Sequence, residues 1–373
     1  MRGQNSRCAV SGRGTVGMAA RAVMLVAVCA ILAACAGKAP VLDASPVAVP
    51  EWTMGTTGER IEWVRTISNI QEAGATGGFW ARVGGLIAGT DTGVQGWKSP
   101  YGVVVDTARR LYVSDPGLQL VHCLGLAKNE YSVIGGNAGN PLVSPVGLTL
   151  DDRDRLYITD SITGMVFRYD PGDGSLKPIL AKRLGRPTGI AFHPQNHLLY
   201  VVDTLASQIV VLDLNGEERK RIGRRGEGAA QFNYPTDIAV SAKGELYVLD
   251  ALNFRVSVMT PEGQPLLSFG EPGDAPGYLA RPKGVAVDHS GHIYVGDAQM
   301  DYVQVFGAKG ALLSTFGSNG SGKGRFWGPS GIFIDSSDYI YVTDTFNRRI
   351  QVFRHLTGSE HETEGEPDLE RTE

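Results

Sequence analysis

The chain has 373 residues, of which 42% are hydrophobic and 20% are charged, and its formal net charge is −4. This apolar content is enough for a substantial core and excludes a wholly disordered chain, while the nearly neutral balance gives no electrostatic signal for nucleic-acid binding. The 49 glycines and 19 prolines favour frequent turns and few long helices, and therefore an all-β fold.

The first 34 residues have the pattern of a bacterial export signal. Four arginines and no acidic residue lie in this stretch, and an apolar run fills residues 22–34. The run is too short to span a bilayer comfortably but has the length of a signal-peptide core. It ends in Leu-Ala-Ala before Cys35, which resembles a lipobox, so Cys35 is predicted to carry a lipid anchor. The alternative is an ordinary cleaved signal with a chance cysteine, and translation starts at either Met1 or Met18.

Residues 35–58 are predicted to form the lipid anchor and an extended tether, because alanine and proline are abundant just after Cys35. Ala36 stands where an aspartate would resemble an inner-membrane retention signal, so the predicted location is the outer membrane, facing the periplasm. Of the four cysteines, only Cys123 is left in the folded part, where we expect an inert core residue.

One candidate strand precedes the main body of the chain. Isoleucine and tryptophan residues recur through residues 59–70, which predicts a β-strand. Residues 71–98 are rich in glycine and are predicted to be irregular, with a short helix near residues 79–86.

One sequence pattern then occurs six times. Each copy begins with a proline and ends with an aspartate, and the aspartates follow one another at intervals of 43 to 47 residues. Within a copy, two short apolar runs flank a polar turn, a third run follows, and a fourth usually comes before the next proline. Four strands in such a repeat are typical of a propeller blade. The six aspartates are Asp115, Asp160, Asp203, Asp250, Asp297 and Asp344.

The repeats resemble a known family. The proline, the glycine two residues later, the Tyr-Val pair before the aspartate and a following strand such as RIQVF are similar to NHL repeats. The resemblance covers residues 99–354 and implies a six-bladed β-propeller of the kind found in a broad group of bacterial lipoproteins. The copies lie near 99–140, 144–183, 186–223, 234–270, 281–317 and 328–356.

The sixth copy has three strands where the others have four. Strand 59–70 is predicted to pair with the last copy and close the ring, which protects an edge that would otherwise invite aggregation. The propeller domain is therefore predicted to span residues 59–356. Residues 357–373 are acidic and polar, and we expect them to be disordered.

The repeats supply two candidate sets of metal ligands. The six aspartates are predicted to be structural acceptors of backbone N–H groups in the following turns, and a ring of metal ligands is the alternative. The pairs His193/His197 and His289/His292 have ligand-like spacing but lie in turns that are expected to point into solvent. The similar gluconolactonase group places asparagine between the proline and glycine of a repeat, and no copy here has it. No metal, cofactor or catalytic residue is therefore predicted.

Basic residues cluster in the connections that lead from one copy into the next, and aromatic residues accompany them. In a propeller these connections share one face, so the sequence predicts a binding rim for an acidic protein or an envelope polymer rather than nucleic acid. The alternative is that these charges simply solvate loops. The rim residues are Arg183, Arg186, Arg224, Arg225, Arg281, Lys283, Arg325, Tyr234 and Trp327.

Two functions are compatible with this pattern. The first is a membrane-tethered scaffold of the cell envelope that binds a protein or polymer without catalysis. The second is a metal-dependent propeller hydrolase or lyase that uses the central channel. The predicted first strands contain mainly apolar or small residues, and this favours the scaffold because an enzyme needs convergent polar ligands there.

Overall fold

Each of the first five repeats folds into a four-stranded antiparallel sheet, because its short apolar runs are separated by turns that reverse the chain. The computed structural model describes residues 49–55, 58–68, 96–127, 130–136 and 139–357. Within these ranges, 25 strands form six sheets, and the one helix is a 3₁₀ turn over Ala251–Asn253. The predicted all-β, six-bladed propeller is confirmed. No helix in this part of the chain is long and apolar enough to cross a membrane.

Two strands precede the repeats, and the first three repeats then form blades 1 to 3. The two early strands are β1 (Glu51–Met54) and β2 (Glu59–Ile67). Blade 1 consists of β3 (Val103–Val105), β4 (Arg110–Asp115), β5 (Leu120–Gly125) and β6 (Glu130–Gly135). Blade 2 consists of β7 (Pro145–Leu150), β8 (Leu156–Asp160), β9 (Met165–Asp170) and β10 (Ser175–Pro178). Blade 3 consists of β11 (Pro187–His193), β12 (Leu198–Asp203), β13 (Gln208–Leu212) and β14 (Glu218–Ile222).

The last three repeats form blades 4 to 6. Blade 4 consists of β15 (Pro235–Val240), β16 (Leu246–Asp250), β17 (Arg255–Met259) and β18 (Pro265–Phe269). Blade 5 consists of β19 (Pro282–Val287), β20 (Ile293–Asp297), β21 (Tyr302–Phe306) and β22 (Leu312–Phe316). Blade 6 takes β23 (Pro329–Ile334), β24 (Tyr339–Asp344) and β25 (Arg349–Leu356) from its own repeat.

The N-terminal strand closes the ring, as the sequence predicts. Strand β2 pairs antiparallel with β25, with Ile61 opposite His355 and Ile67 opposite Ile350. Strand β1 adds a fifth strand, although the sequence analysis assigned its residues to the tether. Its alternate residues Trp52 and Met54 are apolar. The ring centroids of Trp52 and Phe353 lie 5.8 Å apart. The sheet therefore begins eight residues before the predicted strand.

Several predictions fall on residues outside the described ranges. These are the export signal, Cys35 and the part of the predicted tether up to residue 48, the helix near residues 79–86, and the acidic tail after residue 357.

The repeated tyrosines pack between neighbouring blades. Tyr112 shares a buried cluster with Leu148 and Leu156 of blade 2, and Tyr341 shares one with Val103 and Leu111 of blade 1. All six are essentially inaccessible to solvent, so each pair of blades is joined by an aromatic ring. The six are Tyr112, Tyr157, Tyr200, Tyr247, Tyr294 and Tyr341.

The six repeat aspartates are buried and bind backbone. Each accepts N–H groups from the segment that enters its own blade, 16 to 18 residues earlier. Asp203 accepts from Arg186 N at 2.9 Å, and Asp297 accepts from Arg281 N at 3.0 Å. Several also accept from the following turn, as Asp115 does from Leu118 N. The aspartates therefore fix the entry segments that surround one end of the channel.

Candidate functional site

The first strand of each blade lines the central channel, and glycine sets its narrowest part. Five of the six repeats have glycine two residues after the proline, within the first strand or directly before it. A Cβ on Gly147 would lie 2.2 Å from Thr188 O, and one on Gly331 would lie 2.3 Å from Tyr101 O. The blades approach too closely there for a side chain to fit between them. Blade 4 is different, because Asp237 occupies this position.

Asp237 places a carboxylate in the channel constriction. It lines a cavity of about 50 Å³ together with Tyr101 and Lys283. Its Oδ2 accepts the Val285 N–H at 3.0 Å, and Gly189 leaves room on the other side, since a Cβ there would lie 2.6 Å from Asp237 Oδ1. Protein atoms surround the carboxyl group although it borders the channel space. This enclosure raises the pKa of Asp237 to about 7.

One mouth of the channel is basic. A cavity of about 540 Å³ is lined by Arg186, Arg281 and Lys283, with the rings of Tyr101 and Tyr234 beside them. Burial lowers the pKa of Lys283, and the charges of Arg281 and Arg186 lower it further. Burial and Asp237 raise the pKa of Tyr101 to about 12, against the opposite effect of the two arginines. Tyr101 therefore lies within electrostatic reach of Asp237 and of both arginines.

The opposite mouth has a different character. Its cavity of about 400 Å³ is lined by the far ends of the first strands, which contribute mainly aliphatic side chains and the rings of Phe192 and Phe333. Its polar groups are fewer, and Thr107 and Asp154 there hydrogen-bond to each other. An anionic ligand would therefore find complementary charges at the basic mouth and not at this one, whose charged lining residues are Asp154 and Asp237.

The structure brings part of the predicted rim together. Arg186, Tyr234, Arg281 and Lys283 line the basic mouth. The remaining rim residues are exposed but do not line this cavity, and Trp327 packs instead on the ring of Phe346, at 5.6 Å. Those outside the mouth are Arg183, Arg224, Arg225, Arg325 and Trp327.

Asp237 and Tyr101 were missed by the sequence analysis. The sequence analysis described the first strands as mainly apolar or small. This description is wrong for β15, where Asp237 is the first residue of the part that lines the channel. The signal was available in the sequence, because one copy of the repeat has an acid where the other five have glycine. Tyr101 stands one residue earlier in its own repeat, and only the geometry shows that it faces Asp237 and the two arginines.

The channel lining does not fit a bound divalent cation. Asp237 is the single acidic side chain among the described residues at the constriction, and Lys283 lines the same space. Divalent cations such as calcium require several oxygen ligands, usually including more than one carboxylate. A positively charged mouth disfavours such an ion further.

The predicted histidine pairs do not form sites. His197 is exposed and lies 3.3 Å from Asp152, and His289 is exposed and lies 3.3 Å from Asp338. The expectation that all these turns point into solvent is wrong for His193, which is buried with its Nε2 3.1 Å from Gly244 O. It is also wrong for the half-buried His292, which lies away from the channel at the seam between blades 5 and 6.

Comparison with known proteins places this site in a familiar architecture. A family model described as SMP-30/Gluconolactonase/LRE-like region matches residues 146–275, about a third of the chain. A gluconolactonase from Xanthomonas campestris is 15% identical, with 83% of this chain and 96% of that chain covered and a TM-score of 0.57. A virginiamycin B lyase from Staphylococcus aureus is also 15% identical, with 69% and 96% covered and a TM-score of 0.53.

A third similar structure is described as a binding protein. It is an auxiliary nutrient binding protein from Bacteroides thetaiotaomicron, 14% identical, with 70% of each chain covered and a TM-score of 0.56. At such identities the likeness concerns the fold and not the activity. The chain is a six-bladed β-propeller that is similar, over blades 2 to 4, to the SMP-30/gluconolactonase group.

Proposed function

We propose that this protein is an NHL-type propeller lipoprotein of the cell envelope that binds an anionic ligand at the basic mouth, without catalysis. The observation that carries the proposal is the convergence of Arg186, Arg281 and Lys283 on one cavity of about 540 Å³. Burial lowers the pKa of Lys283, and the charges of Arg281 and Arg186 lower it further, so these cations are close enough to repel one another. A bound anion relieves that repulsion and supplies charge-assisted hydrogen bonds.

The shape and lining of the mouth favour an anionic sugar unit of an envelope polymer. The cavity is a recess on the axis of the ring, which suits a compact group better than a flat protein surface. Tyr101 and Tyr234 offer ring surface, and the hydroxyl-bearing residues Ser144 and Ser161, which hydrogen-bond to each other, also line the recess. Guanidinium and ammonium groups then select a carboxylated or sulfated sugar over a neutral one.

Charge reversal at the mouth is expected to abolish most of this binding. In Arg281→Glu/Lys283→Glu, affinity for oligogalacturonate should fall about tenfold or more, because two favourable charges become repulsive. Isothermal titration calorimetry with the acidic saccharide and its neutral methyl ester measures the effect. Arg224→Glu/Arg225→Glu is the matched control, since both residues are exposed outside the mouth. Equal affinity for the two saccharides, or an equal loss in the control, contradicts the proposal.

The lipid anchor brings the propeller to the membrane in this proposal, facing the periplasm from the outer membrane. Cys35→Ser is expected to abolish incorporation of fatty acid, because the thiol is the group that accepts the lipid. Metabolic labelling with a palmitate analogue, followed by membrane fractionation, measures this. Cys29→Ser is the matched control because that cysteine lies inside the predicted signal. Unchanged labelling of Cys35→Ser would show that the lipid is attached elsewhere.

A hydrolase or lyase is the second candidate, and Asp237 is the observation that favours it. A carboxyl group with a pKa of about 7 suits general acid–base chemistry near neutral pH. Asp237 also lies inside the region that matches the gluconolactonase-like family. Turnover of lactones or acidic saccharides that disappears in Asp237→Asn, with binding retained, would favour the enzyme. Binding without turnover in the unaltered protein favours the first candidate.

A further inference from the structure

Three side chains that commonly bind metals meet at the seam between blades 5 and 6. Glu59 begins β2, His355 lies near the end of β25, and His292 follows the turn between β19 and β20. Their ligand atoms all lie within 4.8 Å of one another. The three residues are far apart in sequence, and β2 and β25 are outer strands, so the cluster is separate from the channel.

The distances in the cluster are close to those of a coordination sphere. Glu59 Oε2 lies 3.7 Å from His292 Nε2 and 3.9 Å from His355 Nε2. Ligands about 2.0–2.1 Å from a tetrahedral zinc ion lie roughly 3.4 Å from one another. The two separations that involve Glu59 therefore need to shrink by only about 0.3–0.5 Å to reach this value. The two imidazole rings meet edge to face, with centroids 5.3 Å apart.

A buried aspartate orients both imidazoles. Asp288 Oδ2 lies 2.9 Å from His292 Nδ1 and 3.4 Å from His355 Nδ1, while Asp288 also accepts the Tyr294 hydroxyl at 3.1 Å. An imidazole that donates from Nδ1 to a carboxylate presents its Nε2 lone pair on the opposite side. A carboxylate behind the ligating histidine is the usual outer partner of a zinc site.

The Nε2 atom of His355 faces the Glu59 carboxylate at 3.9 Å but lacks a hydrogen-bond partner in the part of the chain that the structure describes. His355 is 5% exposed, and its Nε2 is buried and makes no hydrogen bond within the described residues. A buried polar atom without a partner is costly, so such an atom calls for an explanation. Its position beside Glu59 Oε2 and opposite the Asp288 contact is explained if it binds an ion.

We propose that Glu59, His292 and His355 bind a zinc-type divalent ion. This metal clasp would link the closing strand β2 to blades 5 and 6. Two imidazoles and one carboxylate suit zinc in kind, with a water molecule as the fourth ligand. Glu59 comes from the strand that closes the ring, His355 from the strand it pairs with, and His292 from the neighbouring blade. Binding energy at such a point adds directly to folding stability, because the site does not exist in the unfolded chain.

Metal content of designed variants tests the clasp. The full chain, purified without a polyhistidine tag and incubated with Zn²⁺, is expected to retain one zinc ion after dialysis. His292→Ala and Glu59→Gln should lose it. His289→Ala is the matched control: this histidine lies in the same turn but is exposed and pairs with Asp338. Equal zinc content in His292→Ala and His289→Ala overturns the proposal.

Thermal stability and cobalt spectroscopy provide independent readouts. At zinc about 100-fold above its dissociation constant, the melting temperature should rise by about 5 °C in the unaltered chain and in His289→Ala, but not in His292→Ala. Co²⁺ in place of zinc should give the visible absorption of a four-coordinate site, and Glu59→Gln should weaken it. A chain that carries no zinc and gains no stability from millimolar Zn²⁺ overturns the clasp. That result would leave the anionic-ligand proposal intact, since the two sites share no residue.

Discussion

Replacing Arg349 with leucine is expected to lower the free energy of unfolding by about 3–5 kcal/mol, because a buried carboxylate then loses its charged partner. Arg349 Nε lies 2.7 Å from Asp344 Oδ2, and both side chains are largely buried. The terminal nitrogens of Arg349 also donate to the carbonyls of Ser321, Gly322 and Arg325, in the loop that enters blade 6. Urea unfolding followed by circular dichroism measures the loss.

A pH comparison and a neighbouring variant make this test specific. Burial raises the pKa of Asp344 even with Arg349 present, and removing the arginine raises it further. When the folded-state pKa lies above the unfolded value, stability falls as pH rises. The stability that Arg349→Leu loses relative to the unaltered protein should therefore be larger at pH 8 than at pH 5. Arg348→Leu, at an exposed position, should change stability by about 0.5 kcal/mol or less. Equal denaturation midpoints for Arg349→Leu and Arg348→Leu would show that the pair contributes little.

The sequence predicts the blades well because the information that specifies them is local. Each repeat has its own prolines, turns and alternating apolar runs, and the aspartate that ends the second strand binds backbone only 16 to 18 residues away. The closing strand is also predictable, since a three-strand repeat requires a fourth strand. Strand β1 is not, because only four residues form it and Trp52 is held by rings of blades 5 and 6 that lie far away in sequence.

The sites are less predictable because they depend on contacts between repeats. The basic connections indicate a charged face, but only the ring geometry separates Arg186 and Arg281, which line the mouth, from Arg224, which does not. The same holds for the seam, where His292 and His355 become neighbours through ring closure. Spacing within one turn therefore pointed to His289, which faces solvent, as the partner of His292.

The two proposed sites use the same scaffold in different ways. The repeat aspartates Asp203 and Asp297 bind the backbone N–H groups of Arg186 and Arg281, so structural residues position the cations of the mouth. The proposed metal at the seam would, in contrast, secure the ring that holds these positions. A loosened seam should therefore weaken ligand binding only when the propeller itself begins to unfold.

Asp237→Asn is expected to stabilise the protein above neutral pH. The folded-state pKa of about 7 exceeds the value of about 3.9 for an unfolded chain. Between these values the folded state binds more protons than the unfolded state, so stability falls as pH rises and the full loss is present above pH ~7. The shift corresponds to at most about 4 kcal/mol, and we expect about 1–3 kcal/mol because the carboxyl group borders channel space that water can enter. An amide oxygen at this position still accepts the Val285 N–H.

Urea unfolding at pH 4.5 and pH 8 separates this effect from a change in packing. The gain of Asp237→Asn over the unaltered protein should be larger at pH 8 than at pH 4.5, where the native carboxyl group is protonated in the folded state and only the unfolded chain is partly ionised. Asp152→Asn, at an exposed carboxylate, is the control and should show little gain at either pH. A constant difference at both pH values would mean that the ionisation of Asp237 does not contribute. A loss of stability at pH 8 would instead mean that the charged carboxylate is favourable in the channel, through its basic neighbours at the mouth.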